Sequence, residues 1–292
     1  MISFEILQFA FMQRALLTGT AVAATCSIIG LFLVLRRQSL FGDAMSHVAF
    51  GGIALGIFMN MYPIWTAFIV SVLAALGITK LKDSAKIPPD SAIAVLLSSG
   101  LALGVVLISL SNGFSLDLFS FLFGSILLVS FQDEITVLVL DIAIISIVAL
   151  LYKKLMYITF NEEQAKVSGL DVTKMNYLFI VLASITVITS IRLVGVLLIS
   201  SLIVIPNVTA MLFGKGFRKT AIISILVAVC SVEIGIMLSS IWNIAPGGTI
   251  VLTSIAIFLL TISVKSIFSL LLRSKANYEK AKLRNIKIQN ED

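Results

Sequence analysis

The sequence predicts an all-α integral membrane protein, a polytopic bundle of helices that crosses a lipid bilayer many times. Residues of the hydrophobic class make up 59% of the 292 positions, only 12% are charged, and the mean hydropathy is +1.10. This composition cannot supply the charged exterior that a soluble domain needs. Long apolar runs such as 15–35 and 222–241 lack the strand-like alternation of apolar and polar residues that a membrane β-barrel requires.

The membrane-spanning helices are predicted from the apolar runs that lie between charged residues. A spanning helix needs roughly 20 mostly apolar residues to cross about 30 Å of hydrocarbon. The predicted spans are 15–35, 41–59, 62–79, 91–110, 132–152, 175–191, 193–213, 220–241 and 249–272. The sixth and seventh could instead be divided differently around Arg192, and the short apolar stretch 119–131 is a candidate re-entrant segment. Eight or ten spans are therefore alternatives to nine.

Basic residues predict the orientation of the chain. With the N-terminus outside the cytoplasm and the C-terminus inside, 19 of the 21 Lys and Arg residues fall on the cytoplasmic side. Only Arg14 and Arg192 fall on the other side. This asymmetry is what the positive-inside rule expects of cytoplasmic loops, and an even number of crossings would scatter it.

The predicted domain organisation is a transmembrane unit at 10–272, followed by a charged cytoplasmic tail at 273–292. The net charge of +6 does not indicate nucleic-acid binding, because a basic excess in a membrane protein reflects orientation. The tail mixes charged and polar residues and is expected to be either a solvated end helix or a disordered segment near anionic lipid.

Two ionisable residues of the second span are the first candidates for a functional site. Charges inside the hydrocarbon cost free energy, so such residues are functional candidates by default. Asp43 and His47 are four residues apart, which places them on one face of a helix. A carboxylate and an imidazole suit divalent metals such as zinc and manganese. Alternatively, Asp43 is the N-cap of its helix, and His47 hydrogen-bonds a neighbouring carbonyl.

Glu233 and Asp141 are the other intramembrane carboxylates, in the eighth and fifth predicted spans. Each could pair with a polar neighbour on another helix or contact a substrate, and the sequence does not choose between these roles. We include Glu233 as a further candidate metal contact.

The loop at 154–174 is predicted to lie in the cytoplasm and to contain a short amphipathic helix ended by Gly169. In a transporter that lacks its own motor, such a helix is a docking surface; otherwise it is a solvated connector. The sequence contains no GxxxxGK[ST] phosphate loop and no HExxH motif. The chain is therefore predicted to be neither a P-loop ATPase nor an intramembrane zinc enzyme.

Several segments, in order along the chain, resemble the metal-uptake permeases of ATP-binding-cassette (ABC) importers, the ABC-3 type that includes zinc and manganese uptake subunits. The resemblance is carried by Leu35-Arg-Arg-Gln-Ser-Leu-Phe-Gly-Asp-Ala-Met-Ser-His47, Leu122-Phe-Gly-Ser125, Thr159-Phe-Asn-Glu-Glu163 with Ala165 and Gly169, Gly195 through Pro206 and Ala210, and Ala245-Pro-Gly-Gly-Thr-Ile-Val-Leu252. It covers residues 10 to about 272.

This resemblance implies a homodimer in the cytoplasmic (inner) membrane of a bacterium, with two ATPase subunits docked below and an extracytoplasmic metal-binding protein delivering the ion above. It also implies that Asp43 and His47 contact the transported metal. Glu162, Glu163, Ala165 and Gly169 would lie in the loop that couples to the ATPase. No catalytic residue, permanently bound cofactor or nucleic-acid partner is expected, since ATP is used by the partner chain.

Zinc is the first choice of transported metal, because 36–40 and 116–124 are closer to the zinc members. Manganese and iron(II) are alternatives, since oxygen–nitrogen ligand sets discriminate these metals poorly by affinity. A self-sufficient proton-coupled transporter, with Asp141 and Glu233 as proton sites, is the alternative from another class.

Overall fold

A computed structural model describes residues 9–85, 87–111, 131–196 and 199–289, and these residues form helices joined by short connections. In chain order the helices are α1 (Ala10–Leu35), α2 (Phe41–Phe58), α3 (Pro63–Ala85), α4 (Pro89–Leu110), α5 (Phe131–Phe160), α6 (Glu162–Val167), α7 (Val172–Val194), α8 (Ile199–Met211), α9 (Phe217–Trp242) and α10 (Pro246–Gln289). The predicted all-α class is confirmed. The candidate re-entrant stretch at 119–131 and the Leu122–Ser125 segment lie outside the described residues, apart from Phe131 at the start of α5.

Eight of the described helices are long and apolar enough to cross a membrane. They correspond to eight of the nine predicted spans. The exception is 193–213, where the structure has only the 13-residue helix α8. At about 1.5 Å per residue such a helix is roughly 20 Å long, which is shorter than the hydrocarbon core.

The connection between α7 and α8 explains this difference. α7 continues through Arg192 to Val194 and ends at Gly195, whose φ of +83° and ψ of 159° are incompatible with a helix. The break therefore falls at Gly195 and not at Arg192. Pro206 lies inside α8 without ending it.

The bundle has a buried centre and an apolar exterior. Most residues in the apolar stretches of α1, α2 and α7 are buried, whereas a third or fewer are buried in α3, α4, α5, α9 and α10. The outer helices expose large apolar side chains such as Leu73, Val106, Leu150, Leu226 and Leu260. This distribution is the reverse of that in a soluble bundle and matches a chain that is solvated by lipid.

Glycines let α4 approach the backbone of α2 very closely. A Cβ atom built on Gly100 would lie 2.6 Å from Val48 N and 2.8 Å from His47 C, and one on Gly51 would lie 2.9 Å from Gly100 O. On the neighbouring side of α2, a Cβ on Gly52 would lie 2.6 Å from Ala67 Cα in α3. The central helix α2 is thus held by backbone contact on two sides, and small residues are what allow such contact between membrane helices.

Aromatic side chains identify which helix ends lie together. The Phe217 ring, at the start of α9, has its centroid 5.3 Å from that of Phe32, 5.5 Å from that of Tyr152 and 6.3 Å from that of Phe160. The last turns of α1 and α5 and the first turn of α9 therefore meet at one end of the bundle, and α6 follows directly on α5. We call this end the loop-helix end.

The last helix, α10, continues for 44 residues without interruption and passes position 273, where the charged tail is predicted to begin. The tail is therefore an extension of the last spanning helix as far as Gln289.

The close approach at Gly100 predicts a specific sensitivity to an added methyl group. Because the atoms that a new Cβ would meet belong to the α2 backbone, Gly100→Ala should force α4 away from α2 and cost about 1–3 kcal/mol of stability. The loss is measured as a lower thermal unfolding temperature of the purified protein in detergent.

Gly77→Ala in α3 is the matched control, since no atom lies within 4 Å of its Cβ position. It should leave the unfolding temperature unchanged or raise it, because Ala favours a helix over Gly by up to about 1 kcal/mol. Equal unfolding temperatures for both variants would contradict the packing described above.

Candidate functional site

Asp43 and His47 face each other across one turn at the start of α2. His47 Nε2 lies 3.8 Å from Asp43 Oδ1, and the two side chains keep 17% and 30% of their surface exposed, respectively. The pair therefore lies at an accessible edge of an otherwise buried helix, where both side chains can be reached by a ligand. The prediction that Asp43 and His47 lie on one face of a helix is confirmed.

The N-cap alternative for Asp43 is wrong, because α2 begins at Phe41 and its N-cap residue is Leu40. Asp43 instead lies in the first turn, where a carboxylate interacts favourably with the positive end of the helix dipole. Its backbone carbonyl accepts a hydrogen bond from Ser46 Oγ at 2.7 Å. The side-chain carboxylate thus does not cap the helix and can contact a ligand.

The backbone around the pair is fixed by neighbouring helices. Gly42, next to Asp43, packs against Ile203 and Ser200 in the first turns of α8. The carbonyl carbon of His47 packs against Gly100 of α4. Both candidate ligands therefore sit on backbone that cannot shift without moving α4 or α8.

The pair offers one carboxylate and one imidazole, a ligand set that suits first-row divalent metals. Within the described ranges, no group of three His, Cys, Asp or Glu side chains is close enough to hold one metal ion. The described part of the chain thus offers two such ligands there, fewer than the four of a structural zinc site.

Glu233 lies in α9 and has a structural partner in α1. The Thr20 hydroxyl donates a hydrogen bond that is shared between Glu233 Oε1 at 3.0 Å and Leu16 O of its own helix at 2.8 Å, and both side chains are half-buried. Nearby, a Cβ on Gly19 would lie 2.8 Å from Val232, so α1 and α9 are in close contact here. A polar pair at a tight helix contact is a common way to satisfy a carboxylate inside a membrane bundle.

Asp141 is fully buried in α5, which packs on α1. Neither of its carboxyl oxygens accepts a hydrogen bond of ordinary length from a described residue. The Thr25 hydroxyl of α1 faces the carboxyl group but donates its hydrogen bond to Ala21 O. Within the described part of the chain, no hydrogen bond or ion pair links Asp141 to the Asp43–His47 pair.

A chain of buried hydrogen bonds that the sequence did not indicate joins α1, α9 and α8. Ser27 Oγ donates to Ser224 Oγ at 2.9 Å, Ser224 Oγ donates to Asn207 Oδ1 at 2.7 Å, and Asn207 Nδ2 donates to Ile203 O at 2.7 Å. Asn207 follows Pro206 directly, and its side-chain amide donates to the carbonyl next to that of Leu202, which lacks a backbone donor because of the proline. This chain fixes α8 in the bundle beside α2.

The loop that was predicted to contain a short helix forms α6, with Asn161 as its N-cap: the Gln164 backbone N–H donates to Asn161 Oδ1 at 3.0 Å. Ala165 is buried against Ile158 and Val172, which anchors α6 to the ends of α5 and α7.

The remaining predicted coupling residues lie around the surface of α6. Glu162 and Glu163 are exposed, and Glu162 pairs with Lys166 at 3.0 Å. Gly169 ends the loop with a φ of +83°, a conformation that favours glycine. Val167, which sequence reasoning overlooked, is 90% exposed at the end of the helix.

Comparison with known proteins decides the family. The family model described as "ABC 3 transport family" matches residues 8–265, which is most of the chain. The chain belongs to this family.

Its relatives include proteins named for two different metals. The chain is 33% identical to "Manganese transport system membrane protein MntC" of Listeria monocytogenes, over 87% of this chain and 90% of that one. It is 30% identical to "High-affinity zinc uptake system membrane protein ZnuB" of Haemophilus influenzae, over 87% of this chain and 97% of that one.

A solved structure supports the same assignment. A chain of the structure titled "PsaBC from Streptococcus pneumoniae in complex with Fab" superposes with a TM-score of 0.79 at 33% identity. The match covers 89% of this chain and 95% of that chain.

Membership of the ABC 3 transport family gives the chain its general role. It is a multi-pass membrane protein, the permease subunit of a bacterial ABC transporter, and a separate chain hydrolyses ATP. The predictions of family, of a non-enzymatic subunit and of a membrane location are confirmed.

The Thr20–Glu233 hydrogen bond predicts how the transporter responds to changes at Glu233. Glu233→Gln keeps an oxygen that can accept from Thr20. We therefore expect the transport rate of the reconstituted transporter to stay within about threefold of the wild type, which corresponds to a change of less than about 1 kcal/mol in the activation free energy. Thr20→Val, which removes the donor of the same bond, should have a comparably small effect. A tenfold or larger loss in Glu233→Gln alone would instead make Glu233 part of the transport pathway.

Proposed function

We propose that this chain is the permease subunit of an importer that carries a divalent transition metal, zinc or manganese, across the bacterial cytoplasmic membrane. The observation that carries the proposal is the Asp43–His47 pair, which presents an oxygen and a nitrogen ligand 3.8 Å apart on a central helix of an ABC 3 permease. Both side chains hold the ion transiently as it passes.

The ligand chemistry and the relatives support the metal class. Carboxylate and imidazole bind both Zn²⁺ and Mn²⁺, and affinity alone separates these ions only by the general order of first-row metals. One of the relatives above is named for manganese and the other for zinc. Zinc, the first choice from the sequence, therefore has no advantage over manganese as the proposed cargo.

The proposed importer consists of two copies of this chain, with ATPase subunits on the cytoplasmic side and a metal-delivering protein outside. The two-ligand site supports the second copy, because another subunit is one source of the missing ligands. The N-terminus lies outside and the C-terminus inside, as the 19 inward basic residues favour. This orientation requires a ninth crossing beside the eight long helices, and the segment that contains the short helix α8 would complete it.

In this orientation the loop-helix end faces the cytoplasm, and α6 is the docking helix for the ATPase. Its short length, its anchoring through Ala165 and its polar surface support this role. Val167 exposes an apolar side chain on an otherwise polar helix, and such a side chain can insert into a pocket of a partner.

Replacement of either member of the ligand pair tests the proposed metal site. His47→Ala and Asp43→Asn should each lower Zn²⁺ or Mn²⁺ uptake about tenfold or more at equal membrane abundance, because loss of a direct ligand costs at least as much as loss of its supporting residues. Uptake by cells that lack other importers of these metals is the measurement.

Asp90→Asn is the control for the removal of a negative charge, since Asp90 is an exposed residue in the first turn of α4. It should transport at the wild-type rate. Wild-type uptake by His47→Ala would contradict a role of His47 in the pathway, and uptake of neither metal by the wild type would contradict the proposed substrate class.

Substitution of Val167 tests the docking helix without disturbing its anchor. Because an apolar side chain that is buried on binding contributes about 1.5–3 kcal/mol, Val167→Asp should weaken ATPase binding by roughly tenfold or more. The measurement is co-purification of the ATPase subunit with the permease in detergent.

Gln164→Asp adds the same charge to the same exposed helix while keeping Val167. If both variants lose the ATPase to the same degree, the effect is one of charge and the insertion of Val167 is excluded. We expect Gln164→Asp to retain its partner.

A further inference from the structure

A single guanidinium group joins the end of α1, just before the turn that leads into α2, to both helices that hold α6. Arg36 is the first residue after α1, and its Nε donates to Thr159 Oγ1 at 3.0 Å while its Nη1 donates to Asn176 Oδ1 at 3.0 Å. Thr159 lies in the last turn of α5, directly before α6, and Asn176 lies near the start of α7, directly after it. One side chain therefore contacts both ends of the α6 segment.

The surroundings hold this guanidinium in one orientation. Its Cζ lies 4.5 Å from the ring centroid of Phe179, which is fully buried and packs edge-on against Phe32 of α1. A planar guanidinium on an aromatic face, with two directional hydrogen bonds, is an arrangement that lysine cannot reproduce.

Arg36 stays charged in this position. Burial lowers the pKa of its guanidinium to about 10, while the negative charge of Glu162 at the start of α6 acts in the opposite direction. The side chain is therefore a cation at neutral pH, and its hydrogen bonds to Thr159 and Asn176 are charge-assisted.

The connection from Arg36 to the ligand pair is short and hydrogen-bonded. The Gln38 N–H donates to Leu33 O at 2.8 Å, and the Phe41 N–H donates to Gln38 O at 3.0 Å. Asp43 follows only seven positions after Arg36. Because these backbone hydrogen bonds make the turn short and rigid, a displacement of Arg36 moves the first turn of α2.

A cavity beside Arg36 provides room for such a displacement. It has a volume of about 310 Å³, and its lining includes Arg36, Gln38, Glu162 and Asn176. Arg36 Nη2 and Gln38 Oε1 are buried there without a hydrogen-bond partner among the described residues. Unsatisfied buried polar atoms in a native structure call for an explanation. Here the Arg36 donor and the Gln38 acceptor can form new hydrogen bonds in a second arrangement of the loop-helix end.

We propose that Arg36 is the positioning residue that transmits movement of α6 to the Asp43–His47 turn of α2. The inference rests on the proposed function, since it takes α6 as the site of the ATPase and α2 as the site of the metal. Arg36 touches neither metal nor ATP. It acts by holding α5 and α7 to the turn that connects α1 with α2.

The test compares Arg36→Gln and Arg36→Lys with the wild type in the complete transporter, reconstituted in lipid vesicles with its ATPase and its metal-delivering protein. The readouts are ATPase co-purification, ATP hydrolysis and the number of metal ions imported per ATP. Both variants should keep ATPase binding and hydrolysis, while the metal-to-ATP ratio falls about three- to thirty-fold, the range seen for residues that carry coupling between sites.

Arg37→Gln is the matched control, because it removes the same charge from the adjacent, exposed position. It should leave the ratio unchanged. An unchanged ratio in Arg36→Gln overturns the proposal, and so does an equal fall in Arg36→Gln and Arg37→Gln, which would reflect charge alone.

A second set of variants keeps the test decisive if the Arg36 variants do not fold. Thr159→Val and Asn176→Ala each remove one acceptor and leave the guanidinium on Phe179. Their double variant should lower the metal-to-ATP ratio, and a wild-type ratio in a folded double variant overturns the proposal.

The wild type separates this inference from the proposed function. If the wild-type complex imports neither Zn²⁺ nor Mn²⁺ on ATP hydrolysis, the proposed function fails and the role of Arg36 fails with it. If the wild type couples import to ATP and the Arg36 variants couple equally well, only the role of Arg36 is overturned.

Discussion

Close contact between helix backbones at glycines is the constraint on which the rest of the bundle depends. In a lipid environment the hydrophobic effect does not drive one helix onto another, so association relies on dense packing of surfaces that fit. One side of α2 packs against Gly100 of α4, and on another side Gly52 of α2 packs against α3; neither contact has room for a methyl group. This packing fixes the central helix, and with it the rotation that turns Asp43 and His47 toward the same accessible edge.

Polar groups inside the bundle follow a second rule, which is that each must find a partner without water. Many Thr and Ser hydroxyls donate to the carbonyl one turn earlier in their own helix, as Thr186 does to Leu182 O at 2.9 Å. Some of these hydroxyls also join helices: Ser190 Oγ of α7 donates to Thr186 O at 2.6 Å and lies 3.0 Å from Cys26 Sγ of α1. The exceptions among the described residues include the Asp141 carboxyl oxygens in the interior and the Arg36 and Gln38 atoms at the loop-helix end.

The sequence predicts features that depend on local pattern and misses those that depend on distant partners. Apolar length places eight long helices, and the spacing of four residues places Asp43 and His47 on one face, because both follow from helix geometry. The predicted span 175–191 ends where the apolar stretch Val172–Ile191 ends, but the helix α7 continues to Val194 because the conformation of Gly195 terminates it. The partners of Arg36 lie 123 and 140 positions away, and Thr20 and Glu233 are 213 positions apart, so no local pattern could pair them.

The small number of ligands at the Asp43–His47 pair has a kinetic consequence for an ion that binds there. Among the described residues of this chain, the pair has no third His, Cys, Asp or Glu close enough to share a metal. An ion held by these two ligands alone would keep much of its hydration shell, which would lower the barrier to leaving. The residence time at the proposed site therefore depends on ligands from outside this chain, whereas a closed four-ligand site of the structural zinc type would trap the same ion.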